Sequence, residues 1–179
     1  MLLPETSFSR RIDPMLEKIG QGVSWVWVML LVVIVVNVVL RYVFSEGRIE
    51  FEEIQWHLYS IGFLLSLGYA YQADAHIRVD VLHEFMRPQT QAWIELYGIV
   101  LFLIPFIALV LIFGVPFVWV SFELSEVSQA PGGLPYRWAI KAVLPIGFGL
   151  LLMAVFSRLS RVWVFLFGDN HPTENKDGA

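Results

Sequence analysis

The 179 residues include no cysteine, which removes disulfide staples, thiolate metal sites and cysteine nucleophiles and leaves the redox compartment open. Charge is scarce as well: 16% of residues are Asp, Glu, Lys or Arg, against about 25% in an ordinary soluble domain. The shortage is concentrated in four runs without any charged side chain, residues 19–40, 54–73, 96–122 and 142–157. A net charge of −4 argues against a general affinity for nucleic acid or anionic lipid. What is abundant is grease: 57% apolar and 15% aromatic residues, with a mean hydropathy of +0.65. That composition excludes disorder, a secreted disulfide scaffold and a free-standing nucleic-acid binder.

The pattern predicts an all-α integral membrane protein, a single four-span domain over residues 1–179 with spans near residues 19–41, 54–74, 94–121 and 138–160. The first run has 22 residues and makes a helix of about 33 Å, enough for a hydrocarbon core of about 30 Å. It is too long for a secretory h-region and no small-residue cleavage site follows it, so it reads as a span, not a signal. The second run is flanked by Trp56 and Tyr59 at one end and Tyr69 and Tyr71 at the other, as an aromatic belt requires. The third is longer than a bilayer needs, and Pro105 and Pro116 predict a tilt or kink within one span. The fourth has only 16 residues, so Lys141 and Arg158 are expected to snorkel at its ends, with Trp138 and Trp163 marking the interfaces.

Lys and Arg fall eight to four in favour of the side that holds both termini. The positive-inside rule therefore places both termini in the cytoplasm. A short amphipathic helix is expected in the cytoplasmic interface near residues 76–87, stopped by Pro88. Pro131-Gly132-Gly133-Leu134-Pro135 predicts an ordered outer turn before span four. Asp13-Pro14 reads as an N-cap with proline at the first helical position, and the tail 168–179 reads as flexible.

A self-sufficient ion-coupled transporter keeps ionisable groups near mid-membrane, where each costs roughly 2.5–3.5 kcal/mol or more, and the four runs hold no such charge. Asn37 near the outer end of span one suits helix packing or an ion site. His57 lacks the second histidine a haem would need at matching depth, and a zinc site lacks its ligands. No Gly-x-Ser-x-Gly is present, so no catalytic, substrate-binding or metal-ligating residue and no cofactor is assigned. Gly62 and Gly68 offer a close-packing face, as do Gly147 and Gly149 beside Pro145, for a partner helix or for the chain's own helices. Arg137 and Lys141 share one face at the start of span four, against the helix dipole, so they need lipid phosphate, Glu123 and Glu126, or another protein.

Glu52-Glu53 with Trp56, then Gly62, Gly68 and Ala70, and then His76-Ile77-Arg78-Val79-Asp80-Val81-Leu82 together resemble the small membrane subunit (DctQ-like) of TRAP, tripartite ATP-independent periplasmic, transporters. The resemblance spans essentially the whole chain and includes Gly132 to Trp138, followed by Lys141 and Pro145. It implies a non-enzymatic scaffold in a bacterial inner membrane, paired stably with a large, sodium-coupled, elevator-type membrane subunit. It also implies transient contact with a periplasmic binding protein that delivers an organic acid. The partner-interface candidates are Glu52, Glu53, Trp56, His76, Asp80, Arg137 and Lys141, with His76 and Asp80 spaced i,i+4 to pair on the interfacial helix. Two other readings remain open: a small dimeric four-span exporter, which should carry a carboxylate in span one, and a membrane anchor for a redox enzyme, which should carry a histidine pair.

Overall fold

A computed structural model describes residues 3–75 and 86–168, and every regular element among them is helical. Helix α1 is Ser9–Val43 and α2 is Ile49–Gln72. Helix α3, Pro88–Gly98, runs through a π-helical turn, Ile99–Leu103, into α4, Ile104–Glu123, and α5 is Arg137–Phe167. Three helices are long and apolar enough to cross a membrane: α1, the continuous Pro88–Glu123 and α5. Helix α2 has 24 residues, a rise of about 36 Å, but it interleaves Gln55, His57, Ser60, Ser66 and Gln72 with its apolar residues and is not among the three. The protein is an all-helical, multi-pass membrane protein. The interfacial helix read at 76–87, with His76 and Asp80, and the tail after Gly168 lie outside the described residues, save Met86 and Arg87.

One boundary differs from the sequence reading, for a visible reason. Helix α1 starts at Ser9, not at Asp13-Pro14, and Pro14 lies inside it. Thr6 and Ser9 form a reciprocal cap, each backbone N–H donating to the other's hydroxyl at 3.0 Å. That leaves Asp13 free for another task described below. Pro88, expected to stop an interfacial helix that lies outside the described residues, occupies the first turn of α3, where its missing N–H loses nothing. The distortion expected at Pro105 is the π turn just before it: without an N–H to bond the Leu101 carbonyl, and with its ring crowding that carbonyl, proline widens the preceding turn. Helices α2 and α4 end in left-handed residues, Asp74 (φ 55°) and Ser125 (φ 46°), where glycine is usual. In each the next N–H closes back into the last turn, Ala75 to Ala70 at 2.9 Å and Glu126 to Ser121 at 3.1 Å.

Helices α2 and α5 form the centre, with α1 against α2 and the α3–α4 rod against α5. Glycines let the backbones meet. Gly68 faces the Leu150 backbone at 2.9 Å from where a Cβ would sit, and Gly147 faces the Leu64 carbonyl at 2.5 Å, so each of the two helices opens a notch for the other's leucine. The α1–α2 contact repeats the device with rings: Gly20 sits under Tyr69 and Gly62 under Trp27, whose ring also meets Tyr59 edge-on at 5.8 Å. The Gly62, Gly68 and Gly147 faces are therefore filled from within the chain, while Gly149 faces open space. Ile99, Ile107, Phe148, Leu151 and Val155 form the buried core between α5 and the α3–α4 rod.

At the end where α1 begins and α5 stops, here the terminal end, α5 gathers three segments. Arg158 donates to Glu95 of α3 at 2.5 Å and lies 3.7 Å from Asp74 at the foot of α2. Asp13 accepts from Ser157 at 2.5 Å and lies 3.6 Å from Arg161, which also donates to the Leu3 carbonyl. Thr6 and Ser160 are linked at 2.8 Å. Arg158 was expected to snorkel into lipid; its side chain is only 15% exposed and turns inward, because a guanidinium and a carboxylate both near the membrane boundary gain more from each other than either gains by reaching outward.

Substituting Gly147 by Ala should destabilise the bundle in detergent by about 1–3 kcal/mol through overpacking on Leu64, whereas Gly149→Ala should stay within about 0.5 kcal/mol. Thermal unfolding of the purified variants reads the difference. Arg158→Ala, which strands Glu95, should cost about 2 kcal/mol or more, and adding Glu95→Ala should recover part of that loss in a double-mutant cycle.

Candidate functional site

The opposite end, called here the loop end, carries most of the conspicuous polar residues. Its α4–α5 connection, residues 124–136, folds back over the start of α2. Gly132 sits at φ +79°, and a Cβ on Gly133 would strike Ser128 and approach Glu53 Oε1 at 2.9 Å. Both glycines are thus required, one by its dihedral and one by close approach. The Ser128 N–H donates to the Leu134 carbonyl at 3.2 Å and the Gly133 N–H to Ala130 at 2.9 Å, which closes the turn.

Glu53 is the post on which this turn hangs. Its carboxylate accepts the Leu134 N–H at 2.6 Å and the Ser128 hydroxyl. The Ser128 hydrogen bond, then the Leu134 amide, and more weakly the Arg137 charge hold the Glu53 carboxyl below its usual range against a smaller desolvation effect. Glu126 makes the second tie, accepting from the Lys141 ammonium and from the Ser121 hydroxyl at 2.7 Å. Those two hydrogen bonds, in that order, pull the Glu126 carboxyl down as well. The Glu126 backbone carbonyl also receives the Arg137 N–H at 3.1 Å, satisfying one of the free donors at the start of α5.

Lys141 was expected to snorkel, or to meet lipid phosphate, Glu123 and Glu126, or another protein, and the structure gives it Glu126. The Lys141 side chain is 19% exposed, with its ammonium 4.1 Å above the Phe117 ring. The counter-charge that the helix dipole demands comes from within the chain. Arg137, one turn earlier, is different. Its guanidinium makes no ion pair or hydrogen bond among the described residues and lines a cleft of about 470 Å³ with Glu52, Glu53, Trp56, His57 and Ser60.

The expected interface residues therefore separate. Glu52, Glu53, Trp56 and Arg137 come together at one cleft. Within it Glu53 is occupied by the turn, and Glu52 lies 3.6 Å from Arg41 of α1. Trp56 is 72% exposed and stands as a ridge between this cleft and a second groove lined by Asn37, Arg41 and Gln55. Lys141 is turned away, and His76 and Asp80 are outside the described residues. The sequence reading missed Ser128, Ser121 and the Leu134 amide. Only the Gly132-Gly133 pair hinted that a side chain would press against that turn. Among the described residues no group of three His, Asp or Glu side chains stands where it could hold a metal. The arrangement can order a loop and present a cation beside an aromatic ridge; it offers no nucleophile activated by a base.

Because both carboxyls are held below their ordinary value of 4.5, the stability they add is present above that pH and is lost as pH falls through their lowered values. Pepsin cleavage within residues 128–136 should therefore increase as the pH drops below about 4.5, and the Glu53→Gln, Glu126→Gln double variant should be cut readily without that pH dependence.

No curated relative matches the chain. The family model of the DctQ component of tripartite ATP-independent periplasmic transporters matches residues 30–165, from the middle of α1 to the last turn of α5. The match takes in the Gly68 and Gly147 notches, the Glu53 post and the whole α4–α5 connection, so the resemblance noted in the sequence extends over the α2–α5 centre of the bundle. The chain belongs to the DctQ family and is a small membrane component of a TRAP transporter.

Proposed function

We propose that this chain is a non-catalytic scaffold of a sodium-coupled secondary transporter in a bacterial inner membrane. It crosses the membrane four times with both termini in the cytoplasm, α2 being the fourth crossing element. It anchors the large elevator-type subunit, and its loop end helps to dock a periplasmic binding protein that delivers an organic acid. The observation that carries this reading is where the charges go. Lys141 and Arg158, the cations that bracket the uncharged run of α5, are each bound to a carboxylate of the same chain, and the runs between the ends hold no Asp, Glu, Lys or Arg. A protein that moves ions through itself keeps such groups accessible at mid-membrane; here they are spent on holding helices together.

The eight-to-four Lys and Arg asymmetry supports cytoplasmic termini, and α2 packs between the longer helices α1 and α5, with its Ser66 hydroxyl closed onto the Gly62 carbonyl. An exporter that works alone would need a carboxylate in residues 19–40, and none is there.

Purification through a tag on this chain, after co-expression with the large subunit, should recover both in equal amounts. Sodium-dependent uptake in vesicles should need both together with the binding protein. Recovery of this chain as an isolated dimer with full uptake by the large subunit alone would refute the proposal.

A further inference from the structure

Among the polar side chains at the loop end that make no hydrogen bond to the described residues, Gln55 Nε2 being another, His57, Ser60 and Arg137 lie together in one cleft. Serines elsewhere in the helices satisfy themselves, Ser24 on the Gly20 carbonyl at 2.9 Å, Ser66 on Gly62 at 2.7 Å, and Ser121 and Ser157 on carboxylates. His57, Ser60 and Arg137 line a cleft between α2 and α5 that adjoins a second groove, the two sharing His57 and Ile140. The cleft has Arg137 at its mouth, and the groove, apolar and of about 420 Å³, is walled by Ile61, Ala139, Ile140 and Val143. His57 lies three residues inside the uncharged run that opens at Ile54, about 4.5 Å deep, with Ile61 about 6 Å deeper. The rim thus carries both signs, Arg137 beside Glu52 and Glu53, with Glu53 taken by the turn and Glu52 near Arg41, while the shoulder is polar and the groove below apolar.

Ionisable residues inside membrane segments face a protein interior or a water-filled cavity, not acyl chains. His57 and Ser60 here face a hollow on the outside of the bundle, so that side is completed by something else. A lipid tail has no acceptor for an imidazole or a hydroxyl at that depth. A helix can provide a carbonyl or a polar side chain there, an apolar face beside Ile61 and Val143, and a carboxylate at its end for Arg137. Ala139 is exposed and small, which permits close approach.

We propose that the α2–α5 groove at the loop end is the seat of one transmembrane helix of the large subunit, which places an acidic residue against Arg137 and a hydrogen-bond acceptor against His57. This rests on the scaffold reading above and names the surface that reading leaves open.

The test fills the groove without disturbing the chain's own packing. In cells that express both subunits, Ala139→Trp should lower recovery of the large subunit with tagged small subunit roughly tenfold, the scale of losing one central interface contact. The same change at Val32 on the exposed side of α1 should leave recovery intact. Since the chain has no cysteine, Ala139→Cys provides a single attachment point, and a short cross-linker placed there should join it to the large subunit, as identified by mass spectrometry. Undiminished recovery with Ala139→Trp, or cross-links only to lipid or to a second copy of this chain, would overturn the assignment. If the unaltered chain fails to recover the large subunit at all, the scaffold reading fails instead, so the two failures are separable.

Discussion

The uncharged stretch of α5, residues 142–157, is about 24 Å long, shorter than the hydrocarbon layer of about 30 Å that it has to cross. The cations that bracket it, Lys141 and Arg158, therefore lie at or inside the membrane boundary, where an unpaired charge is expensive. Each is paired, and each pairing recruits another part of the chain: Lys141 takes Glu126 from the α4–α5 connection, and Arg158 takes Glu95 from α3. The need to neutralise two ends of one short helix thereby positions the rod made of α3 and α4. It also fixes the loop that meets α2 at Glu53.

Between those clamped ends, the bundle is drawn together by small residues and not by buried polar contacts. Lipid is as apolar as leucine, so helices in a membrane gain from close contact and not from hiding grease. The reciprocal notches, Gly68 and Gly147 with each other's leucines and Gly20 and Gly62 with Tyr69 and Trp27, supply that contact along α2. This suits α2 to the central place: it brings glycines for packing, lies between α1 and α5, and its Ser66 hydroxyl closes onto the Gly62 carbonyl. The outward surfaces of α1, the π turn and α4, with Met29, Val32, Phe102 and Phe113 exposed, present what lipid accepts.

A component built this way suits a stationary role. Lys141 and Arg158 are committed to ties within the chain, a core is filled between α5 and the α3–α4 rod, and membership of the DctQ family makes it one part of a multi-subunit transporter. Arg137 is the exception among the α5 cations, since its neighbour Lys141 takes Glu126 while its own guanidinium is left beside Trp56 and His57.

How much of this was readable beforehand follows from what each feature depends on. Helical character, the four uncharged runs and the lack of a charge at mid-membrane follow from the transfer energies of residues taken one at a time, and they needed no neighbours to be known. The turn around Gly132 and Gly133 was also visible, because its dihedral demands are local. The capping at Thr6 and Ser9 was hidden behind the better-looking Asp13-Pro14, whose carboxylate is drawn off by Ser157 and Arg161, residues far away in the chain. Likewise, nothing near Lys141 or Arg158 says whether lipid or protein will answer it. That choice depends on which helices lie side by side, and this is set by glycines in different helices meeting across the bundle, a relation absent from any single stretch of residues.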